Sequence, residues 1–293
     1  MRYSPLLALA LALAVGGAGL VASSESIAQN AREVRQTAEA SMTLGGTIDI
    51  GSEGQVTGFA LSHADKVPAD LAAFVTRQVQ AWRFEPMRVD GAAVATQTPV
   101  ILRLVQQPDP SGDGAQVRVT GASFAKYDPD DTSRVTFIAR PAPVYPKDVY
   151  AMRGRGDVLM LLKVARDGSV ADVFTEQVNL RVVGKERQMR AMRDALARAS
   201  ESAARTWTFR PPTSGPAKDA ESWNVRVPVS YSMGEPRMER YGVWEAYIPG
   251  PRERASFSGA RVDASAAPDL LADGGLYMAD QDDGPRLLTP LGS

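Results

Sequence analysis

The chain has 293 residues, 44% of them hydrophobic, and its 33 Lys and Arg against 34 Asp and Glu leave a net charge of −1. So even a balance argues against a specialist for nucleic acid or acidic membrane surfaces. With no cysteine in the chain, a disulfide framework, a thiol nucleophile and every thiolate metal site are excluded together, and stability must come from one or two apolar cores of about 100 residues each.

The N-terminal end reads as an export signal. Met1 and Arg2 precede an apolar run over residues 5–22, made mostly of Leu and Ala, which is the pattern of a secretory signal peptide. Ser26-Ile27-Ala28 supplies the small residues that cleavage needs, so residues 1–28 are expected to be removed. An uncleaved anchor is the rival reading, because the run comes to about 18 residues, near the lower limit for spanning a bilayer. Gly16-Gly17 interrupts the run, and only a retained N-terminal segment would tie this chain to a membrane.

A repeat then organises the chain. Trp82-Arg83-Phe84-Glu85-Pro86 returns as Trp207-Thr208-Phe209-Arg210-Pro211, so Trp82, Phe84 and Pro86 correspond to Trp207, Phe209 and Pro211 as a core signature. In the first copy, residues 40–106, two apolar runs flank a turn at Gly54, the signature of a β-hairpin. Pro68 suits the first turn of a helix, and Leu71, Phe74, Val75, Val79 and Trp82 form its apolar stripe. A loop with Gly91 and a last strand over residues 100–104 complete the copy.

Residues 107–139 begin with Pro108, Pro110 and Gly112 and read as a linker that carries two strand-like stretches, 117–120 and 135–138. The second copy spans residues 140–233. Its hairpin turns at Arg166-Asp167-Gly168, and Met189, Met192, Leu196, Ala199 and Ala203 share one helix face. Arg190, Asp194 and Arg198 lie opposite, and Glu201 stands four residues before Arg205, so this reads as a salt-bridged solvent face rather than a nucleic-acid reader.

The last strand of this copy alternates Val225, Val227, Val229 and Tyr231 with Asn224, Arg226, Pro228 and Ser230, which predicts one buried and one wet face. The fold class is therefore α+β, two tandem β-β-α-β modules, each a small antiparallel sheet with one helix packed on it. The second core is expected to hold Val158, Met160, Leu162, Val170, Met192, Leu196, Trp207, Phe209, Val227 and Val229. Residues 234–293, rich in Gly, Pro and Asp, read as an irregular tail partly docked through Trp244, Tyr247, Phe257 and Tyr277.

The order Pro143-Val144-Tyr145-Pro146, Gly154-Arg155-Gly156-Asp157-Val158, Asp167-Gly168-Ser169-Val170, then Trp207-Thr208-Phe209-Arg210-Pro211 and the Val-rich strand resembles the TonB C-terminal domain family over residues 140–233. Residues 44–105 resemble it in degenerate form. The resemblance implies a periplasmic module that grips an outer-membrane TonB-dependent receptor or another envelope protein, in the family for energy transduction in transport. It implies no catalysis, cofactor or metal. A long Pro-rich spacer and a histidine in the N-terminal apolar run, both expected of a full transducer, are missing from this sequence.

Gripping of that kind has a physical basis, since a terminal strand leaves backbone N–H and C=O groups that an extended segment completes. Pro228 marks Asn224, Val225, Arg226, Val227, Pro228, Val229, Ser230 and Tyr231 as an edge, because proline is tolerated in a sheet where its missing N–H faces outward. Partner edge and guarded edge both fit that proline. Tyr145 and Pro146, the domain-opening motif, read as an anchor packing on the sheet. A structural scaffold, or a homodimer through paired edges, is the reading from another class.

Catalytic signals are thin. His63 is the single histidine and sits in Ser62-His63-Ala64-Asp65, where neighbouring side chains point apart. Ser123 and Lys126 match Ser-x-x-Lys, a Ser-Lys hydrolase motif that also needs a helix start and two further elements, neither of which occurs. Asp128, Asp130 and Asp131, and likewise Asp280, Asp282 and Asp283, lack the glycine and distal carboxylate of a calcium loop and read as solvated turns.

Overall fold

A computed structural model of the protein describes residues 37–108, 114–124, 130–233, 241–258, 275–279 and 284–291. The signal segment 1–28 lies outside them. Among the described residues, no helix is long and apolar enough to cross a membrane.

The architecture is α+β, with helices laid on antiparallel sheets. In the first half, β1 (Glu39–Ile50) and β2 (Val56–Leu61) form a hairpin, followed by α1 (Ala69–Gln80). A small hairpin of β3 (Arg88–Val89) and β4 (Ala92–Ala93) leads into β5 (Thr96–Pro108), which lies antiparallel to β1. The segment expected as a linker is built into both halves. Its β6 (Ala115–Ser123) pairs along the outer side of β5, and its β7 (Thr136–Ala139) pairs with β10 (Thr208–Arg210).

In the second half, a short helix α2 (Lys147–Ala151) precedes the hairpin β8 (Gly156–Ala165) and β9 (Val170–Leu180), then α3 (Glu186–Ala204), β10 and β11 (Ser222–Tyr231). β8 is central, with β9 on one side and β11 on the other. The tail also folds into strands. β12 (Glu245–Tyr247) pairs with the start of β1, Ile248 exchanges hydrogen bonds with Leu180 of β9, and β13 (Tyr277–Met278) pairs with β11. The described tail residues thus dock through backbone ladders as well as through aromatics.

One contact recurs in each half and explains the glycine of each turn. Gly54 and Gly168 both adopt φ +82. The Phe84 N–H donates to the Gly54 carbonyl at 2.7 Å, and the Phe209 N–H donates to the Gly168 carbonyl at 2.8 Å. A side chain at either glycine would bring its Cβ within 2.0 Å of the corresponding Phe carbonyl oxygen. The Trp-x-Phe-x-Pro strand is thus clasped onto the hairpin turn, which places Trp82 and Phe84, or Trp207 and Phe209, in the cores. A third ring completes each cluster. Phe124 stands edge-on to Trp82 and Phe84, while Phe137 stands edge-on to Trp207 and tilted to Phe209. Pro86 and Pro211 are half-buried beside them.

The second core contains the expected residues, with Val170 only half-buried at its margin. One expectation is refined and one corrected. On α3 the fully buried stripe ends on Ser200 and Ala204, with Ala199 half-buried against the same core; Ser200 Oγ donates to the Leu196 carbonyl and shares a 2.9 Å hydrogen bond with Tyr231 Oη. Glu201, expected to pair with Arg205, accepts from Thr175 Oγ1 at 2.7 Å.

On β11, Arg226 and Pro228 are buried instead of wet. Arg226 makes a bidentate pair with Glu176, at 2.8 and 3.0 Å. Glu176 is the extra residue of a β-bulge, since Leu159 pairs with Gln177 while Met160 pairs with Thr175. The bulge re-aims the carboxylate across β8 to the guanidinium. Leu159 and Leu161 of β8 are buried outside the helix-side core, so this sheet is covered on both faces.

Candidate functional site

The strand expected as an edge, Asn224 to Tyr231, is β11 without its first two residues. Its inner side pairs with β8 from Ser222 opposite Ala165 to Tyr231 opposite Gly156. The Asn224 carbonyl points the other way, accepting the Ala279 N–H at 2.7 Å. Strand alternation then directs the backbone groups of Asn224, Arg226, Pro228 and Ser230 outward and those of Val225, Val227 and Val229 toward β8. The missing N–H of Pro228 falls on the outer side, where it costs no ladder hydrogen bond.

The expected open edge needs one correction. β13 occupies its first part, with Met278 opposite Val225 and Tyr277 opposite Arg226. Met278 is buried and joins the second core. Among the described residues no strand pairs with the outer side of β11 beyond Arg226. Docking of the tail through Tyr277 is as expected, but its place on β11 is not, and the signal in the sequence is the apolar triplet Leu276-Tyr277-Met278 within a Gly- and Asp-rich tail.

The domain-opening motif sits at the end of β11. Tyr145 stands edge-on to Tyr231, with ring centroids 5.2 Å apart, and to Tyr150 at 5.7 Å. Its hydroxyl donates to the Gly154 carbonyl, and burial raises its phenol pKa above the ordinary value. Burial likewise raises that of Tyr231. Pro146 caps α2. Tyr145 therefore ties the incoming chain to the end of β11. Replacing Tyr145 by phenylalanine is expected to cost about 1 kcal/mol in chemical denaturation, the worth of one hydrogen bond, because the ring contacts survive.

The surface around this end is mixed. Val144, Tyr150 and Met152 are exposed to 83%, 60% and 42%, and Tyr150 reaches the end of β11 through Tyr145. On the other side, Ser230 Oγ donates to Asp157 and accepts from Arg181, and Arg181 Nε donates to Asp157 at 2.8 Å. Ser230 is thereby fixed in a charged cluster.

The other expectations resolve simply. His63 opens a 3-10 turn in the left-handed region, φ 48, and stands edge-on to Tyr241. Ser123 ends β6, a strand rather than the helix start a Ser-x-x-Lys nucleophile needs, and Lys126 lies outside the described residues. Asp131 accepts from the Ser133 N–H and hydroxyl, which hold its carboxyl below the usual range, and it pairs with Arg134. Asp128, Asp280, Asp282 and Asp283 lie outside the described residues. Among the described residues no group of His, Asp and Glu is spaced to hold a metal.

No family model matches the chain, and no curated protein matches it. Among solved structures, the chain is similar to the solution NMR structure of Pseudomonas aeruginosa TonB CTD, with 19% identity, a TM-score of 0.26, and coverage of 37% of this chain and 95% of that one.

Proposed function

We propose that this chain is a non-enzymatic, TonB-like protein-interaction protein of the periplasm, built from two tandem β-β-α-β modules. In this reading it engages an outer-membrane transporter or another envelope protein by strand addition to β11. The observation that carries it is the end of β11, where Pro228 turns its backbone away from β8 and Tyr145, packed on Tyr231, brings the exposed Tyr150 close. An incoming extended segment would complete the ladder with its backbone. Two modules are supported by the matched turn glycines, the matched Phe-to-Gly hydrogen bonds and the matched aromatic triplets.

The test places a photo-crosslinking residue at Ser230 and, as a control, at the exposed Arg198 of α3. Crosslinks are expected from Ser230 to an extended periplasmic segment of an envelope transporter and not from Arg198. Capture from Arg198 alone sinks the reading.

A second reading, a scaffold that dimerises through paired edges, draws on β6, which ends its sheet among the described residues. In that case light scattering shows a dimer that Arg118→Pro, on the exposed part of β6, dissociates.

A further inference from the structure

A chain-wide charge of −1 averages over two ends of the second half that differ. β8 starts at Gly156, and β9 ends at Leu180 opposite it. The segments that enter β8 and leave β9 therefore meet at one end of the sheet, where the Arg181 N–H donates to the Arg155 carbonyl at 2.8 Å. α2 and α3 come to the same end. A Cβ added at Gly154, in the loop after α2, would meet Met192 Sδ of α3 at 2.6 Å and Val149 Cγ1 of α2 at 2.7 Å, so loop and helices are pressed together.

This end is basic. Lys147 of α2, Arg153 and Arg155 of the loop, and Lys185, Arg187 and Arg190 at the start of α3 are exposed, against the exposed acids Asp148 and Glu186. Arg181 and Asp157 neutralise each other in an ion pair. At the opposite end, around the turn glycine Gly168, the cations Arg166, Lys218 and Arg210 are matched in number by Asp167, Asp219 and Glu221. The excess of positive charge is confined to the end where Gly156 and Leu180 pair.

The same end is also apolar. Of the nine large hydrophobic side chains exposed among the described residues, Val144, Tyr150, Met152 and Val183 belong to it. Val144 and Val183, at 83% and 59% exposed, project from the surface and cannot line a groove. A folded partner would have to supply a fitted pocket for each, whereas a lipid interface takes projecting apolar groups without shape matching and sets its headgroup phosphates against the cations around them. Tyr150 has the apolar body and polar tip that suit the same boundary.

We infer that this end of the second half docks on an anionic phospholipid surface, with Val144, Tyr150, Met152 and Val183 entering the headgroup region and the exposed Lys and Arg side chains set against lipid phosphates. The docking is independent of strand addition and is tested with lipid alone, so either can fail without the other.

The test uses the exported chain, which has no native cysteine. Val144→Cys carries an environment-sensitive dye. Ile138→Cys, 61% exposed on β7, is the control, because β7 pairs with β10 and Thr208 of β10 bridges to Ser169 beside the far turn. Each labelled protein is titrated with vesicles of phosphatidylcholine alone or with about one-third phosphatidylglycerol. The dye reports its own surroundings, so the comparison holds whether or not the N-terminal apolar run also enters the vesicle.

The dye at 144 is expected to shift to the blue with at least about tenfold less anionic than neutral lipid, and the dye at 138 not to shift. Arg155→Gln/Arg187→Gln is expected to weaken binding about tenfold or more, since each basic residue near such a surface contributes about fivefold. Met152→Ser should weaken it about two- to threefold through lost apolar insertion, and added salt should weaken the charge-dependent part. All the replaced side chains are exposed, and circular dichroism checks that each variant keeps its fold. No shift at 144 on anionic vesicles, an equal shift on neutral ones, an equal shift at 138, or unchanged binding by the double variant overturns the inference. A shift produced by polyglutamate and by no vesicle also overturns it and assigns this end to an acidic protein instead.

Discussion

Replacing Arg226 by methionine while Glu176 stays in place is expected to destabilise the protein by about 3–5 kcal/mol, read as a fall in denaturant midpoint at constant slope. The two side chains are 4% and 2% exposed. Removing the guanidinium strands a carboxylate beside the buried Leu159 and Leu161. Arg252 also interacts with Glu176 and offsets part of that cost. The double replacement Glu176→Leu with Arg226→Met removes both charges and is expected to fall within about 1 kcal/mol of wild type, or above it. The cycle therefore gives a large coupling energy from a pair whose net worth is small. Its value to the site is geometric. The pair ties β9 to β11 across β8 and holds the edge strand at its midpoint.

That pair marks the boundary of what the sequence reveals. Period-two alternation predicts a wet face for Asn224, Arg226, Pro228 and Ser230, and it holds at Ser230, which is tied to surface-facing Asp157 and Arg181. It fails at Arg226 and Pro228. Alternation reports which residues share a face and is blind to whether a second layer covers it. Glu176 gives no sign of its role in the sequence because a bulge, set by pairing with β8, decides where it points. By contrast, the hairpins, both helices and the core aromatics follow from local spacing and turn glycines, and those appear as expected.

Long-range pairing accounts for the remaining differences. Residues 115–123 and 136–139 look like fragments in a linker because each is half of a ladder whose other half lies elsewhere, on β5 and on β10. The tail repeats this on a larger scale. Its backbone partners on β1, β9, β11 and the segment 82–85 are separated from it by tens to hundreds of residues, and no local pattern encodes that distance. One consequence for the site is an asymmetry between the halves. Among the described residues β5 is covered on its outer side from Ile101 to Pro108 by β6, whereas β11 is covered from Asn224 to Arg226 by a strand of the tail.

The clasp between turn and Trp-x-Phe-x-Pro strand gives the second large effect. Gly168→Ala is expected to cost about 3 kcal/mol or more. A left-handed alanine alone loses about 1–2 kcal/mol, and its Cβ, 2.0 Å from the Phe209 carbonyl oxygen, drives that backbone away and breaks the hydrogen bond from the Phe209 N–H, worth about a further 1 kcal/mol. Gly54→Ala meets the Phe84 carbonyl oxygen at the same 2.0 Å and should cost a similar amount. Gly91 supplies the control, since it adopts φ +83 with nothing within 4 Å of its would-be Cβ, so Gly91→Ala should cost only about 1 kcal/mol. Thermal and urea unfolding of the three variants separates backbone strain from the clasp. A Gly168→Ala protein no weaker than Gly91→Ala would mean that β10 is seated by Trp207 and Phe209 alone. A loss of the size expected would mean that the turn glycine, from the far end of the hairpin, sets where those aromatics enter the core and hence where β11 can begin.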